Sequence, residues 1–484
     1  MQIILSSEQS KNLDSYLINH LGISSSILME TAAIQSANKI LDLNKEFKSV
    51  LILCGSGNNS GDGFALARIL SIKTKVKVLW IGSESKMSEE TNSNFHLVSK
   101  LKIEIIHLEK IEDLKDNIFE SDCIIDCLIG IGGDENLKGV VVDVLKMANS
   151  SRSYKIAIDV PTGYNSNNGK IHQNYFKCDS LITMFSYKLG FLTDKELFSK
   201  THVCDLNINK NIVKEFSQIY SLEQDDIRNL LPQRLNKTSK FDFGISSIIA
   251  GNINMEGAGA LSANATITSG AGLVHLFTFS RHSALLPEII CHNLDTAIVG
   301  NSILEKSIAI GIGPGLGKQK NTLDNTRQII EKYKDSKSFV IDADGLYSLP
   351  NELNQNVILT PHLYEFSKIS GLSVEEIEND RIETAISFAK KMNCVLLLKG
   401  ATTIITNGSE TYLNTSGNPG MSTAGSGDVL TGIILALLSQ GLKPIIAASL
   451  AAFIHGKAGD IYGNKYNQET LTASKIIDYL KYAI

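Results

Sequence analysis

What this chain has little of narrows its class before any motif is read. Its 484 residues carry a formal net charge of −5, with a pI near 6.1 and lysines scattered along the whole length. A surface for nucleic acid or an anionic membrane needs a basic excess gathered on one face, so neither partner is expected. Long apolar runs are missing too, and the opening MQIILSSEQSKNLD has no basic segment followed by an apolar core. The reading is a cytoplasmic protein with no membrane span and no signal peptide. Cysteine is sparse: seven residues, an odd number, dispersed and mostly set inside apolar runs. They read as reduced core residues, and Cys123 with Cys127 finds no second pair or nearby histidine that would complete a zinc site.

What is present is a soluble globular composition, 43% hydrophobic and 20% charged. At roughly 150 residues per domain the length suggests two or three domains, and the pattern argues for two. Residues 7–41 read as helical, 49–54 as a buried strand, 55–63 as a glycine-rich loop and 64–70 as a helix. Strand-like runs follow at 76–81, 104–107, 123–130, 156–163 and 180–185. Strands alternating with helices mean a largely parallel sheet covered on both faces, with ligands beyond the strands' carboxyl ends. Asn59, Asp126, Asp159 and Thr162 all fall there. Each alone is also an ordinary capping or turn residue. The rhythm stops over 210–242, a polar stretch that reads as the domain boundary, and a second series then begins with strands at 245–250, 273–279, 308–312, 339–341, 357–359 and 395–398.

The most informative stretch is SGNPGMSTAGSGDVLTGIILALLSQG, residues 416–441. A loop of Gly, Ser, Thr and Asn runs into an apolar helix, so its glycines sit at a helix N-terminus. Unpaired N–H groups and the helix dipole make that a phosphate site. Asp428 would repel an anion there unless it has another task, such as taking the proton of a hydroxyl that attacks phosphorus. The plainer reading is a helix cap. A second glycine loop, GIGPGLGK at 311–318, favours the phosphate reading.

These residues resemble the bifunctional NAD(P)H-hydrate repair enzymes. The resemblance rests on LMETAA, GNNSGDG, IIDCLIGIGG, AIDVPTG and the Lys188 segment in the first half, and on GIGPGLGK, DADGL, TPHLYEFS, LLKGATT and GNPGMSTAGSGDVLTGI in the second. It implies an α/β protein with an N-terminal Rossmann-like doubly wound sheet, residues 1–215, acting as an epimerase. A ribokinase-like α/β domain, residues 216–484, would be the dehydratase.

For the epimerase the resemblance implies a substrate pocket of Asn58, Asn59, Ser60, Gly61 and Asp62, with Gly130, Ile131, Gly132, Gly133, Asp134, Glu135, Asn136 and Asp159. Asp159 and Lys188 would be its acid and base, and K⁺ would be held by Asn59, Asp126 and Thr162. In the dehydratase Ala258, Gly315, His362 and Asp428 would touch the hydrated nucleotide, with Asp428 catalytic. Lys399, Gly400, Ala401, Thr402, Thr403 and Gly427 would hold ADP or ATP with Mg²⁺. The partners are then NADHX, NADPHX and an adenine nucleotide. The apolar helix faces serve either interior packing or a homo-oligomer. Two other readings stay open at this point: a ribokinase-like kinase of a vitamin-precursor alcohol, and a first half that only binds.

Overall fold

The computed structural model describes residues 1–43, 45–110, 112, 116–133, 136–294 and 298–484. It divides into two compact units, Gln2–Gln218 and Ile219–Ile484. In the first, seven strands lie in the order Glu104–His107, Lys75–Trp80, Ser49–Cys54, Cys123–Cys127, Tyr154–Ile158, Ser180–Met184 and Thr201–Cys204. Every pairing is parallel. Successive residues of Ser49–Cys54 point to opposite faces. Ile52 and Cys54 enter one apolar cluster with Ala33, Phe64 and Val98, while Leu51 and Leu53 enter another with Val144, Leu145 and Phe191. Two buried faces explain why this strand is apolar throughout.

The helical reading of residues 7–41 resolves into two helices, Ser7–Asn19 and Ser25–Asp42, each with a serine cap. The glycine-rich segment differs more. The helix begins at Asn58, not at Phe64, so 58–63 form its first turns. A Cβ at Gly61 would lie 2.6 Å from Met29 Cε and one at Gly63 2.7 Å from Cys127 Cβ. Gly61 lets the helix approach the helix Ser25–Asp42 and Gly63 lets it lie close on the sheet, needs that local sequence pattern does not display.

The second unit has strands in the order Ile290–Asn293, Leu273–Thr278, Ile245–Ile249, Ala309–Ile312, Ser338–Ile341, Val357–Leu359, Val395–Leu398, Thr403–Thr406, Thr411–Asn414 and Ile219–Ser221. Pairing is parallel as far as Val395–Leu398, and Thr403–Thr406 runs antiparallel to both its neighbours. Ile219–Ser221 falls inside the polar stretch read as a break. Its three residues, Ile-Tyr-Ser, form no apolar run, and its place comes from parallel pairing with Thr411–Asn414. The helix Ser426–Ser439 is buried along nearly its whole length and packs against Glu256–Thr268.

Candidate functional sites

In the first unit the strand order reverses beside Ser49–Cys54. The chain leaves it for Lys75–Trp80 and Glu104–His107, then returns to place Cys123–Cys127 on its other side. Connections diverge at such a reversal and leave a crevice at the carboxyl ends of the strands. A cleft of about 940 Å³ lies there, lined by Asn58, Asn59, Asp62, Gly130, Ile131, Gly132, Asp159 and Lys188, and also by Asp14.

Lys188 is the buried cation of this cleft, 1% exposed and 3.5 Å from Asp159 Oδ1. Its ammonium donates to the Met184 carbonyl at 2.8 Å, while Asp159 Oδ2 accepts from the Ile131 N–H at 3.1 Å. Asp159 itself sits at φ +66°, a left-handed conformation that costs a non-glycine residue about 1–3 kcal/mol and is held by its surroundings. Asp14 joins these groups without any signal in the sequence. Burial first, then the charge of Asp159, raises it to about 6, with Lys188 opposing. Burial, Asp159 and Asp14 push Asp62 well above the carboxylate range. Asp14 and Asp62, both raised, thus bring protonatable carboxyls beside the Asp159–Lys188 pair in a partly desolvated cleft, which suits acid–base work.

Asp126 is fully buried and accepts the Thr162 N–H at 2.7 Å, the Thr162 hydroxyl at 2.8 Å and the Leu128 N–H at 3.1 Å. Burial nevertheless outweighs these bonds and raises it to about 6. Asn59 is buried with both side-chain polar atoms unpartnered. It stands beside Gly130, where a Cβ would lie 3.2 Å from Asn59 Cβ and 3.0 Å from Asp159 Oδ2. An orphaned amide, a carboxylate and a hydroxyl make a hard-oxygen donor set that fits a weakly hydrated monovalent cation. Ser60 is turned inward, its hydroxyl accepting from the Gly55 N–H at 2.6 Å and donating to the Cys127 carbonyl at 2.9 Å. Gly133 closes a turn onto the Gly130 carbonyl at 2.9 Å, and Asn136 lies beyond it. Asp134 and Glu135 lie outside the described residues.

In the second unit Gly425, at φ +87°, caps Ser426–Ser439, so Gly427 and Asp428 form its first turn. Burial, then the negative charge of Asp342, raises Asp428 to about 7, with Lys399 opposing. Lys399 Nζ lies 2.9 Å from Asp342 Oδ1, and the Thr431 hydroxyl donates to Asp342 Oδ2 at 2.9 Å. Burial alone would lower the Lys399 ammonium, but Asp342, Glu365 and Asp428 outweigh it and hold it above its ordinary value. A Cβ at Gly427 would lie 3.4 Å from Lys399 Nζ, so the glycine faces that ammonium. The result is a helix N-terminus, a cation and a carboxyl poised near neutrality in one place. That is the equipment for binding phosphate while removing a proton.

Ala258 and Gly315 also meet, a Gly315 Cβ falling 2.9 Å from Ala258 Cβ. Ser262, on the same helix as Ala258, donates to the Asp428 carbonyl at 3.0 Å. His362 caps Leu363–Ser370, its Nδ1 accepting from the Tyr364 N–H at 3.1 Å. Residues 399–402 link Val395–Leu398 to Thr403–Thr406, which Thr403 opens. Two partners escaped sequence reasoning. Asp342 was visible only as a strand end in DADGL. His455, whose ring lies 3.3 Å from the Ser426 hydroxyl, is lowered to about 4 chiefly by burial and gave no local signal.

The two units thus define an α/β chain with a Rossmann-type cleft built around a buried Asp–Lys pair, and a kinase-like sheet whose glycine-capped helix carries an acid. Comparison with known proteins agrees along the whole length. A family model described as NAD(P)H-hydrate dehydratase matches residues 246–481, and one described as YjeF-related protein N-terminus matches 25–190. The bifunctional NAD(P)H-hydrate repair enzyme of Thermofilum pendens is 32% identical over 98% of this chain and 94% of its own. That of Helicobacter pylori is 31% identical over 98% of each. A ribokinase-like superfamily protein from Enterococcus faecalis superposes at a TM-score of 0.51 with 27% identity, covering 55% of this chain and 96% of its own. The chain belongs to the bifunctional NAD(P)H-hydrate repair enzyme family.

Proposed function

We propose that this chain restores hydrated NADH and NADPH. Residues 1–215 exchange the R and S forms, and residues 216–484 dehydrate the S form at the expense of ADP or ATP. The observation that carries the reading is the Asp428 carboxyl, held at about 7 at a glycine-capped helix start beside Lys399. Asp428 takes the proton of the substrate's hydroxyl as that oxygen bonds to the terminal phosphorus and the nucleotide's own P–O bond breaks. The Gly427 N–H and the Lys399 ammonium stabilise the charge on the transferring group. Phosphate is a far better leaving group than hydroxide. The C–O bond then breaks with its electron pair on phosphate, and loss of the neighbouring proton restores the ring double bond.

In the first unit Asp159 and Lys188 exchange protons with the bound hydrate, the cleft of 55–62 and 129–132 holds its nucleotide portion, and Asn59, Asp126 and Thr162 hold K⁺, a fixed positive charge near the substrate. Mg²⁺ would accompany the nucleotide and neutralise its phosphates. Among the described residues no helix is long and apolar enough to cross a membrane, and we read the enzyme as cytoplasmic.

The test is incubation with a mixed-epimer preparation of hydrated NADH, with Mg²⁺ and ADP, ATP or neither, following the absorbance of reduced nicotinamide. Recovery that requires nucleotide and proceeds past the share of one epimer is expected. No recovery with either nucleotide would sink the repair reading.

A further inference from the structure

Arg381 opens the helix Arg381–Met392, directly after its cap Asp380. That is a poor place for a cation, because the helix dipole is positive at this end. Burial compounds the cost and lowers the guanidinium below its ordinary range, with Glu378 opposing. Among the described residues Arg381 makes no ion pair. Its one hydrogen bond runs from Nη2 to the Lys399 carbonyl at 3.4 Å, and its Nε–H is buried without a partner.

The guanidinium lies on the backbone of residues 399–400. A Cβ at Gly400 would collide with Arg381 Nη2 and would stand only 2.9 Å from Nη1. Glycine at this position therefore lets a planar, five-donor cation lie flat against the loop that follows Val395–Leu398. A half-buried, dipole-opposed charge with no ion pair favours an anion beside it, and a guanidinium fork suits phosphate oxygens in particular.

We propose that Arg381 is a further nucleotide-binding residue, its guanidinium taking the phosphate chain of the adenine nucleotide held along residues 399–403. This rests on the proposed nucleotide-dependent dehydration. It adds a residue that reads phosphate and leaves the base to other contacts. Lys399 then serves the transferring group beside Asp428, and Arg381 serves the part of the chain that stays with the nucleotide.

The experiment uses the full chain with R381K and R381Q, measuring kcat and KM for ADP and the inhibition constant of adenosine, which lacks phosphate. For R381Q the KM for ADP should rise about tenfold or more, while adenosine inhibition and KM for the hydrate stay near wild type and the thermal midpoint without nucleotide is no lower. R381K, keeping the charge but not the fork, should fall between. An unchanged KM for ADP in both variants overturns the proposal, as does an equal loss for ADP and adenosine, which would make Arg381 a loop scaffold. Should R381Q fail to fold, R381K decides by the same readouts. A wild-type enzyme that recovers no NADH with either nucleotide marks failure of the repair reading instead.

Discussion

Replacing Asp342 with asparagine removes one negative charge and nearly no volume, and it should act on two quantities at once. The Asp342 carboxylate is 2% exposed and pairs with Lys399, which is 23% exposed. Breaking a fully buried pair costs about 3–5 kcal/mol, and the solvent reaching Lys399 reduces that to about 2–3 kcal/mol. The second effect falls on Asp428. After burial, the charge of Asp342 is the next cause holding that carboxyl at about 7. At pH 6 a base of that pKa is roughly one-tenth ionised, and lowering it by about one unit leaves it half ionised. The rate at pH 6 relative to the plateau should therefore rise about fivefold in Asp342→Asn, even though the plateau itself is lower because Lys399 has lost its anchor. Urea denaturation reads the first effect and the pH profile of NADH recovery at saturating nucleotide reads the second. A stability loss with an unmoved acid limb would refute the electrostatic argument and leave Asp342 only as a support for Lys399.

Asp428→Asn should abolish dehydration by about 10²–10⁴-fold, as loss of a general base does. It should also raise the thermal midpoint at pH 8. A carboxyl raised to about 7 binds its proton more tightly folded than unfolded, so its stabilising contribution is complete below pH 4 and is lost as pH rises through 7. The asparagine variant escapes that loss, and a midpoint no higher than wild type at pH 8 would contradict it. Lys188→Met should leave dehydration of the S form intact but stall recovery from a mixed-epimer preparation at the share of that form. Complete recovery would remove Lys188 from the epimerase chemistry. Thr162→Val strips a hydroxyl bond from Asp126 and leaves the Ile129 N–H, 3.1 Å from that hydroxyl, unpaired. A stability loss of about 1–3 kcal/mol and a weaker response of epimerisation to added K⁺ are expected, titrated with K⁺ against Na⁺.

Much of the second site was legible because its signals are local. Small residues before an apolar run mark a helix start, and Ser426–Ser439 begins within that glycine loop. Long apolar strands such as Ser49–Cys54 declared themselves for the same reason. Tyr187–Lys188, Thr201–Cys204 and Ile219–Ser221 did not, since each mixes polar with apolar residues and lacks the unbroken apolar run that marked the equally short Val357–Leu359 and Val395–Leu398. The glycines at 61 and 63 looked like loop residues. Only their contacts with Met29 and Cys127 show that they let a helix lie close on a neighbouring helix and on the sheet.

The amino-acid sequence by itself determined the order of the elements, the loops that end their strands and the chemical groups those loops carry. Tertiary structure decided which charges confront one another. Asp342 and Lys399 are 57 positions apart and meet at 2.9 Å, and Asp14 reaches the cleft of Asp159 and Lys188 from a helix far earlier in the chain. A helix or strand is favoured by neighbours a few residues away. A carboxyl's proton affinity depends on burial and on charges within a few ångströms, whatever their place in the chain.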